Sequence, residues 1–262
     1  MSTRVAAAAG GARDSVQPIE AVYFTACVGT MFGPSEAGPG VRESFERICR
    51  RAGVTLTVPA DLPELCCGTP WRSKGMKAGY AVIARKVLPA LWAASRQGEL
   101  PVVCDAASCT EGLRQLLEAE SSTAPASDNR YAALRVVDTV AFVQEHVLPR
   151  LSLTRTIQAL ALHPTCSSTR LGLNDALRGV AAAVADTVTV PDAWGCCGFA
   201  GDRGLLHPEL TESATRPQAV ELAAGRFDAY ASCNRTCELG MTRATGEQYQ
   251  HVLELVDWAS SE

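Results

Sequence analysis

The chain carries LPELCCGTPWRSKG at 62–75 and PDAWGCCGFAGDRG at 191–204, a vicinal cysteine pair closed by glycine in each half. A cysteine precedes each pair (Cys27, Cys166), and a close couple follows it, Cys104 with Cys109 and Cys233 with Cys237. Ten of the eleven cysteines fall into this duplicated pattern. Packing rarely uses vicinal cysteines, and it has no need of them twice at the same address. The pattern points to thiolates gathered around metal.

The repeat runs outward from the pairs. AVYFTACVG (21–29) corresponds to ALALHPTCSS (159–168), an apolar run ending at a cysteine. LPVVCDAASCTEGL (100–113) corresponds to FDAYASCNRTCELG (227–240). RVVDTVAFVQEHVLP (135–149) resembles QYQHVLELVDWAS (248–260), an amphipathic stretch read as the start of each half's last helix. Cys109 lies 42 positions after Cys67, and Cys237 lies 40 after Cys197. The lead cysteines stand 39 and 30 positions before their pairs, so the first half carries extra loop, assigned to GTMFGPSEAGPG (29–40). Duplication of one supersecondary unit explains all four blocks.

Periodicity supplies the coarse fold. In VRESFERICRRAG, Val41, Phe45, Ile48 and Ala52 share a helical face. Short apolar runs at 22–24, 55–58 and 101–104 read as buried strands. KAGYAVIARKVLPALWAAS reads as a helix that Pro89 kinks or ends. Alternating strand and helix predicts an α/β fold of two duplicated halves, each a small mostly parallel sheet with flanking helices. The expected divisions are a disordered tail over 1–18, a first repeat over 19–150 and a second over 151–262. Residues 118–130 read as an exposed loop and 149–156 as the connector. Ligands of open parallel sheets collect beyond the carboxyl ends of the strands, where Cys27, Cys104, Cys166 and Cys233 would fall.

Composition narrows the function. A net charge of −4 without a basic block argues against nucleic acid as a partner. The opening MSTRVAAAAGGARDS has too short an apolar run for a secretory leader. No stretch reaches the ~18 apolar residues of a transmembrane segment. The expectation is a cytoplasmic protein, or one held peripherally at the inner face of the cell membrane by its partners. In a reducing compartment such cysteine richness means metal or redox chemistry more often than disulfides.

Thiolates are soft ligands, and iron–sulfur clusters are held by several of them converging from different loops. Cys27, Cys66, Cys67, Cys104 and Cys109 would form one set, and Cys166, Cys196, Cys197, Cys233 and Cys237 the other. Gly68 and Gly198 allow the backbone to turn beside a bulky inorganic core. Lys74 and Arg203, at nearly equivalent places, would offset cluster charge. Structural zinc and thiol–disulfide exchange are the competing chemistries for the same residues. Cys49 lies outside the repeat and reads as core. His163 and His207 flank the second motif and read as structural groups before ligands. Trp71 and Trp194 serve either to shield a cluster or to pack the core.

The pattern Cys, then Cys-Cys-Gly, then a closing couple, present twice, resembles the cysteine-rich CCG domain. That domain occurs in heterodisulfide reductases and in iron–sulfur subunits of glycolate oxidase and L-lactate utilisation systems. CCGTPWRSKG, DAASCT, HPTCS, CCGFAGDRGLLHPELTESAT and NRTCE are closer still to the C-terminal part of FAD-linked D-lactate or D-2-hydroxyacid dehydrogenases. The resemblance implies one or two iron–sulfur clusters of the 4Fe-4S type. It also implies FAD on a flavin-binding dehydrogenase subunit or domain outside this chain, and a ferredoxin-type iron–sulfur domain as a further partner. The implied role is electron transfer from a flavin that oxidises a 2-hydroxy acid. Disulfide cleavage as in the reductase and a zinc-stabilised scaffold are the alternatives. The closing couples depart from the reductase-type Cys-x-x-Cys, being Cys104-x4-Cys109 and Cys233-x3-Cys237. The dehydrogenase likeness makes Cys109 and Cys237 the firmer ligands of each couple.

Overall fold

A computed structural model describes residues 3–5, 19–34, 38–123 and 129–261. The strands are β1 (Thr3–Val5), β2 (Ile19–Phe24), β3 (Val54–Val58), β4 (Val102–Cys104), β5 (Val136–Asp138), β6 (Ile157–Leu162), β7 (Ala185–Thr189), β8 (Ala229–Ser232) and β9 (Tyr249–His251). They form two sheets, ordered β1-β3-β2-β4-β5 and β7-β6-β8-β9. Apart from β1, which runs antiparallel to β3, every pairing is parallel. The order β3-β2-β4-β5 in the first sheet is therefore repeated as β7-β6-β8-β9 in the second. The expected α/β class and its duplication are both present.

Strands covered by helices on both faces should read as near-continuous apolar runs. Ala21–Phe24 and all of β4 are buried, as are Leu160–Leu162. In each sheet the chain leaves the central strand (β2 or β6) for one neighbour, then returns to the other side as β4 or β8. The carboxyl ends of β2 and β4, and of β6 and β8, thus flank a topological switch point, where open α/β sheets leave a crevice.

The chain divides into two compact units, Met1–Cys27 with Cys49–Arg150, and Val28–Ile48 with Leu151–Glu262. Residues 28–48 therefore belong with the second unit although they precede most of the first. Arg235 holds this segment, donating from Nε to Gly33 O at 2.8 Å and from Nη2 to Pro34 O at 3.0 Å. Gly40 N donates to Glu254 Oε2 at 3.0 Å, and Arg47 pairs with Asp257 at 3.3 Å. The extra residues of 29–40 are thus anchoring chain; 35–37 lie outside the described residues.

Other differences have local causes. Of the expected 1–18 tail, 1–2 and 6–18 lie outside the described residues, and Thr3–Val5 add β1 to the sheet edge. Residues 118–123, expected in a loop, are the last turns of the helix Ala107–Thr123. Leu113 and Leu116 bury its inner face, and Leu, Glu and Ala favour its continuation. Residues 124–128 lie outside the described residues. The helix Lys77–Ala94 runs through Pro89, because burial of Val87, Leu88 and Leu91 outweighs the lost backbone bond. The blocks at 135–149 and 248–260 each open with a strand, β5 or β9, before the helix. Val41 is half-buried, while Phe45, Ile48 and Ala52 are buried as the periodicity required, with Cys49 beside them.

Candidate metal centres

In the first unit Cys104 ends β4, and Cys27 follows β2 as the first residue of the helix Cys27–Phe32. Cys109 lies in the first turn of Ala107–Thr123, where the positive end of the helix dipole favours a thiolate. Asp105 ties the two strand ends together, accepting from Tyr23 Oη and from Ala26 N, each at 2.6 Å. The pair arrives on the loop beyond β3. Gly68 takes φ +84° there and opens the helix Thr69–Ser73. A Cβ on Gly68 would sit 2.9 Å from Tyr80 Cε2. The Thr69 hydroxyl donates to Ser108 O at 3.1 Å and lies 3.4 Å from Cys67 Sγ, joining this loop to the closing helix.

The second unit repeats the arrangement. Cys233 directly follows β8, and Cys166 opens the helix Cys166–Arg170 beyond β6. Thr165 and Ser168 cap that helix reciprocally. The Thr165 hydroxyl lies 3.8 Å from Cys233 Sγ, and Ser232 Oγ donates to His163 O at 2.8 Å, so these strand ends are tied as well. Cys237 sits in the first turn of Arg235–Thr245, its Sγ 3.1 Å from that of Cys197. Gly198 takes φ +68°, and a Cβ there would meet Leu210 O at 2.8 Å. In both halves the N–H of the motif glycine points back to the first sulfur of the pair, at 3.4 Å for Cys66 and for Cys196.

The sulfurs of each unit interact in sequence. Cys67 is held well below the usual thiol range by hydrogen bonds from Cys109 and then Cys66. Cys109 is pushed well up by its contacts with Cys104 and Cys67, with burial adding to the cost of its anion. Burial raises Cys104, the hydrogen bond to Cys67 raises Cys66, and Cys27 adds a smaller electrostatic push on Cys66. In the second unit Cys166 is raised first by Cys196. A hydrogen bond from Cys196 pulls Cys197 down, but Cys237 and burial together push it higher. Each set thus accommodates few thiolates by itself, and a cation among the sulfurs would remove the penalty. The donor chemistry fits a soft metal, iron with sulfide or zinc.

Gly68 is buried and Gly198 half-buried, each at its pair. Lys74 and Arg203 are exposed, at the end of Thr69–Ser73 and the start of Arg203–Leu206. The guanidinium found beside a thiol is that of Arg170, with Nη2 3.9 Å from Cys166 Sγ. Trp71 is partly exposed against Gly79, whereas Trp194 donates from Nε1 to Pro164 O at 2.6 Å and braces the loop before Cys166. His207 is exposed and pairs with Glu209 at 3.1 Å. His163 is buried, and burial lowers its pKa to about 4. A ring nitrogen of His163 and the sulfurs of Cys197 and Cys237 all lie within 4.8 Å of one another.

Two glycines escaped the sequence reading. Gly112 and Gly240 each lie three residues after the closing cysteine, in Cys-Thr-Glu-Gly and Cys-Glu-Leu-Gly. A Cβ on Gly112 would come within 2.8 Å of Cys67 O, and one on Gly240 would lie 3.5 Å from Cys197 Cβ. The missing Cβ at Gly112 lets the closing helix approach the pair, whereas a Cβ at Gly240 would make ordinary contact. The aligned Cys-x-x-Gly was the available signal.

Two sheets with the same order of four parallel strands, each in a unit that holds five cysteines of the repeated pattern, define a duplicated cysteine-rich α/β protein. The chain belongs to the CCG cysteine-rich domain family, which it matches over residues 21–114 and again over 160–242. It is 25% identical over 224 residues to the glycolate oxidase iron-sulfur subunit of Escherichia coli (strain K12), covering 84% of this chain and 54% of that protein. It is also 25% identical over 223 residues to lactate utilization protein A of Oceanobacillus iheyensis, covering 80% of this chain and 87% of that protein. The chain therefore spans about half the length of the first relative.

Proposed function

We propose that the chain is the iron–sulfur electron-transfer module of a flavin-dependent 2-hydroxyacid dehydrogenase of the D-lactate or glycolate type. The observation that carries this reading is the run of interacting cysteine sulfurs in each unit, Cys66, Cys67, Cys104 and Cys109 in one and Cys166, Cys196, Cys197 and Cys237 in the other, in a chain similar to a glycolate oxidase iron-sulfur subunit. Cys27, Cys66, Cys67, Cys104 and Cys109 hold a 4Fe-4S-type centre in the first half. Cys166, Cys196, Cys197, Cys233 and Cys237 hold one in the second. Bound iron–sulfur centres carry single electrons, which lets a flavin that has accepted a hydride discharge it stepwise.

The chain's own residues bind and shield these centres. Gly68 and Gly198 bring backbone N–H groups toward the sulfurs, and the first turns of the two closing helices stabilise thiolate charge. Arg170, with Lys74 and Arg203 further out, offsets negative charge. FAD belongs to a partner subunit or domain, and a ferredoxin-type domain accompanies it. Among the described residues no helix is long and apolar enough to cross a membrane, and the partners supply any attachment to the inner membrane face.

Turnover tests the assignment. The chain alone should not oxidise D-lactate or glycolate with an artificial acceptor, whereas a reduced flavin partner should bleach its iron–sulfur absorbance. Rapid disulfide cleavage by the reduced chain without flavin would replace the relay with reductase chemistry.

A further inference from the structure

We propose that His163 is a nitrogen ligand of the second-half centre, which makes that centre a mixed nitrogen–sulfur site while the first half is held by sulfur alone. The inference deepens the iron–sulfur reading and rests on it. Among the described residues, His163, Cys197 and Cys237 are the one triad of potential ligand atoms within 4.8 Å of each other. All three residues are buried.

The imidazole is fixed for this role from several sides. Its backbone N–H donates to Ala231 O at 2.8 Å, and its carbonyl accepts from Ser232 Oγ at 2.8 Å. These bonds pin the strand end to β8, which leads directly into Cys233. Trp194 braces the next residue through Pro164 O. On the ring, Nδ1 lies 3.0 Å from Gln218 Nε2, which also donates to Met241 Sδ at 3.0 Å, and 3.2 Å from Gln218 Oε1; this side chain is itself buried. With Nδ1–H donating to that oxygen, Nε2 carries the lone pair, and an outer-shell partner of this kind is what orients a metal-binding imidazole. Nε2 is buried with no hydrogen-bond partner among the described residues. A buried acceptor left so is unfavourable, and a metal beside Cys197 and Cys237 would satisfy it.

The first half lacks this group. The residue directly after β2 is Thr25, where His163 directly follows β6. A hydroxyl is a hard and weakly acidic donor that does not replace imidazole on a soft centre. A neutral nitrogen also adds no charge, so a centre bound partly by His163 is less negative than one bound by thiolates alone. Exchange of thiolate for histidine raises the potential of an iron–sulfur centre. The second-half centre should therefore be the easier of the two to reduce.

Pulsed EPR on the anaerobically prepared, reduced full chain tests this, with and without 15N-labelled histidine. A Cys67→Ser background removes the first-half signal. The expected result is a directly coordinated histidine nitrogen whose coupling follows the isotope, is lost in His163→Gln and survives in His251→Asn. Iron and sulfide bound without any histidine coupling, or a coupling that persists in His163→Gln, would overturn the assignment. The labelled parent chain gives this reading even if the variant does not fold. A chain that takes up no iron and sulfide fails the proposed function instead, and cobalt(II) absorption then decides the ligand. A band shift between parent and His163→Gln supports the nitrogen ligand, and superimposable spectra overturn it.

Discussion

In the first half the last parallel strand ends at Asp138; in the second it ends at His251. Each side chain caps the helix that follows, Asp138 Oδ1 accepting from Val140 N at 3.0 Å and His251 Nδ1 from Leu253 N at 3.2 Å. Both are fully buried, and burial drives both toward neutrality from opposite directions. Asp138 rises to about 6, with backbone and Thr110 hydrogen bonds holding it back. His251 falls to about 3, opposed by a backbone hydrogen bond with Cys233. The duplication has therefore kept an acceptor at the cap and let the charge chemistry diverge. The pair loops differ in the same spirit. Thr69-Pro70 starts a helix at once, whereas Phe199, Ala200 and Gly201 extend the second loop, with Ala200 and Gly201 at φ +44° and +75°.

The largest expected difference comes from the cysteines. Cys67→Ser should remove the iron of the first half and leave the second loaded, Cys197→Ser should do the reverse, and the double variant should lose all iron. A hydroxyl is too weak an acid and too hard a ligand to substitute. Cys104→Ser should retain more iron than Cys67→Ser, by the ranking of each closing couple. Iron per chain reads all four, and equal losses in Cys104→Ser and Cys67→Ser would break that ranking.

The caps come next. Asp138 is protonated more readily folded than unfolded, so its contribution is complete below its ordinary value of 3.8 and is lost as pH rises through about 6. The loss is of order 2–3 kcal/mol. His251 is protonated less readily when folded, so its contribution is complete above 6.5 and is lost as pH falls toward about 3. That loss is of order 3–5 kcal/mol. Between pH 4 and 6 the stability difference between parent and Asp138→Asn should fall with pH, and that between parent and His251→Asn should rise. Asparagine keeps a capping acceptor in both variants. Urea unfolding across this range measures the slopes, and slopes of one sign would contradict the two assignments.

Smaller effects separate the motif glycines. Gly198→Ala places a methyl against a helix carbonyl, Leu210 O, that moves only with its backbone. Gly68→Ala meets the Tyr80 ring, which can tilt away. Both pay for a left-handed backbone, roughly 1–2 kcal/mol. Overpacking adds about 1–3 kcal/mol, with Gly198 at the upper end. Thermal unfolding should therefore rank Gly198→Ala as the less stable variant.

Much of this was legible in the residues. Apolar runs ending in cysteine located β2, β4, β6 and β8, because a buried parallel strand leaves a continuous apolar signature whatever its neighbours. The aligned blocks grouped the cysteines into two sets, and the residues of each set fall within one unit. The attachment of 28–48 to the second unit was not legible. It depends on Arg235 meeting two carbonyls and on Gly40 meeting Glu254, partners some two hundred residues away with no local pattern. At Pro89, where a kink or an end was expected, tertiary burial of Val87, Leu88 and Leu91 carries the helix on. His163 read as an ordinary strand-end histidine, because its setting comes from Gln218, Cys197 and Cys237 on three other segments.

Each half is proposed to bind iron and sulfide at the cysteines of its repeat. Anaerobic purification followed by iron, acid-labile sulfide and zinc analysis tests it directly. Brown protein with iron and sulfide in similar amounts and little zinc is expected. Colourless protein holding stoichiometric zinc, even after reconstitution with iron and sulfide, would contradict it.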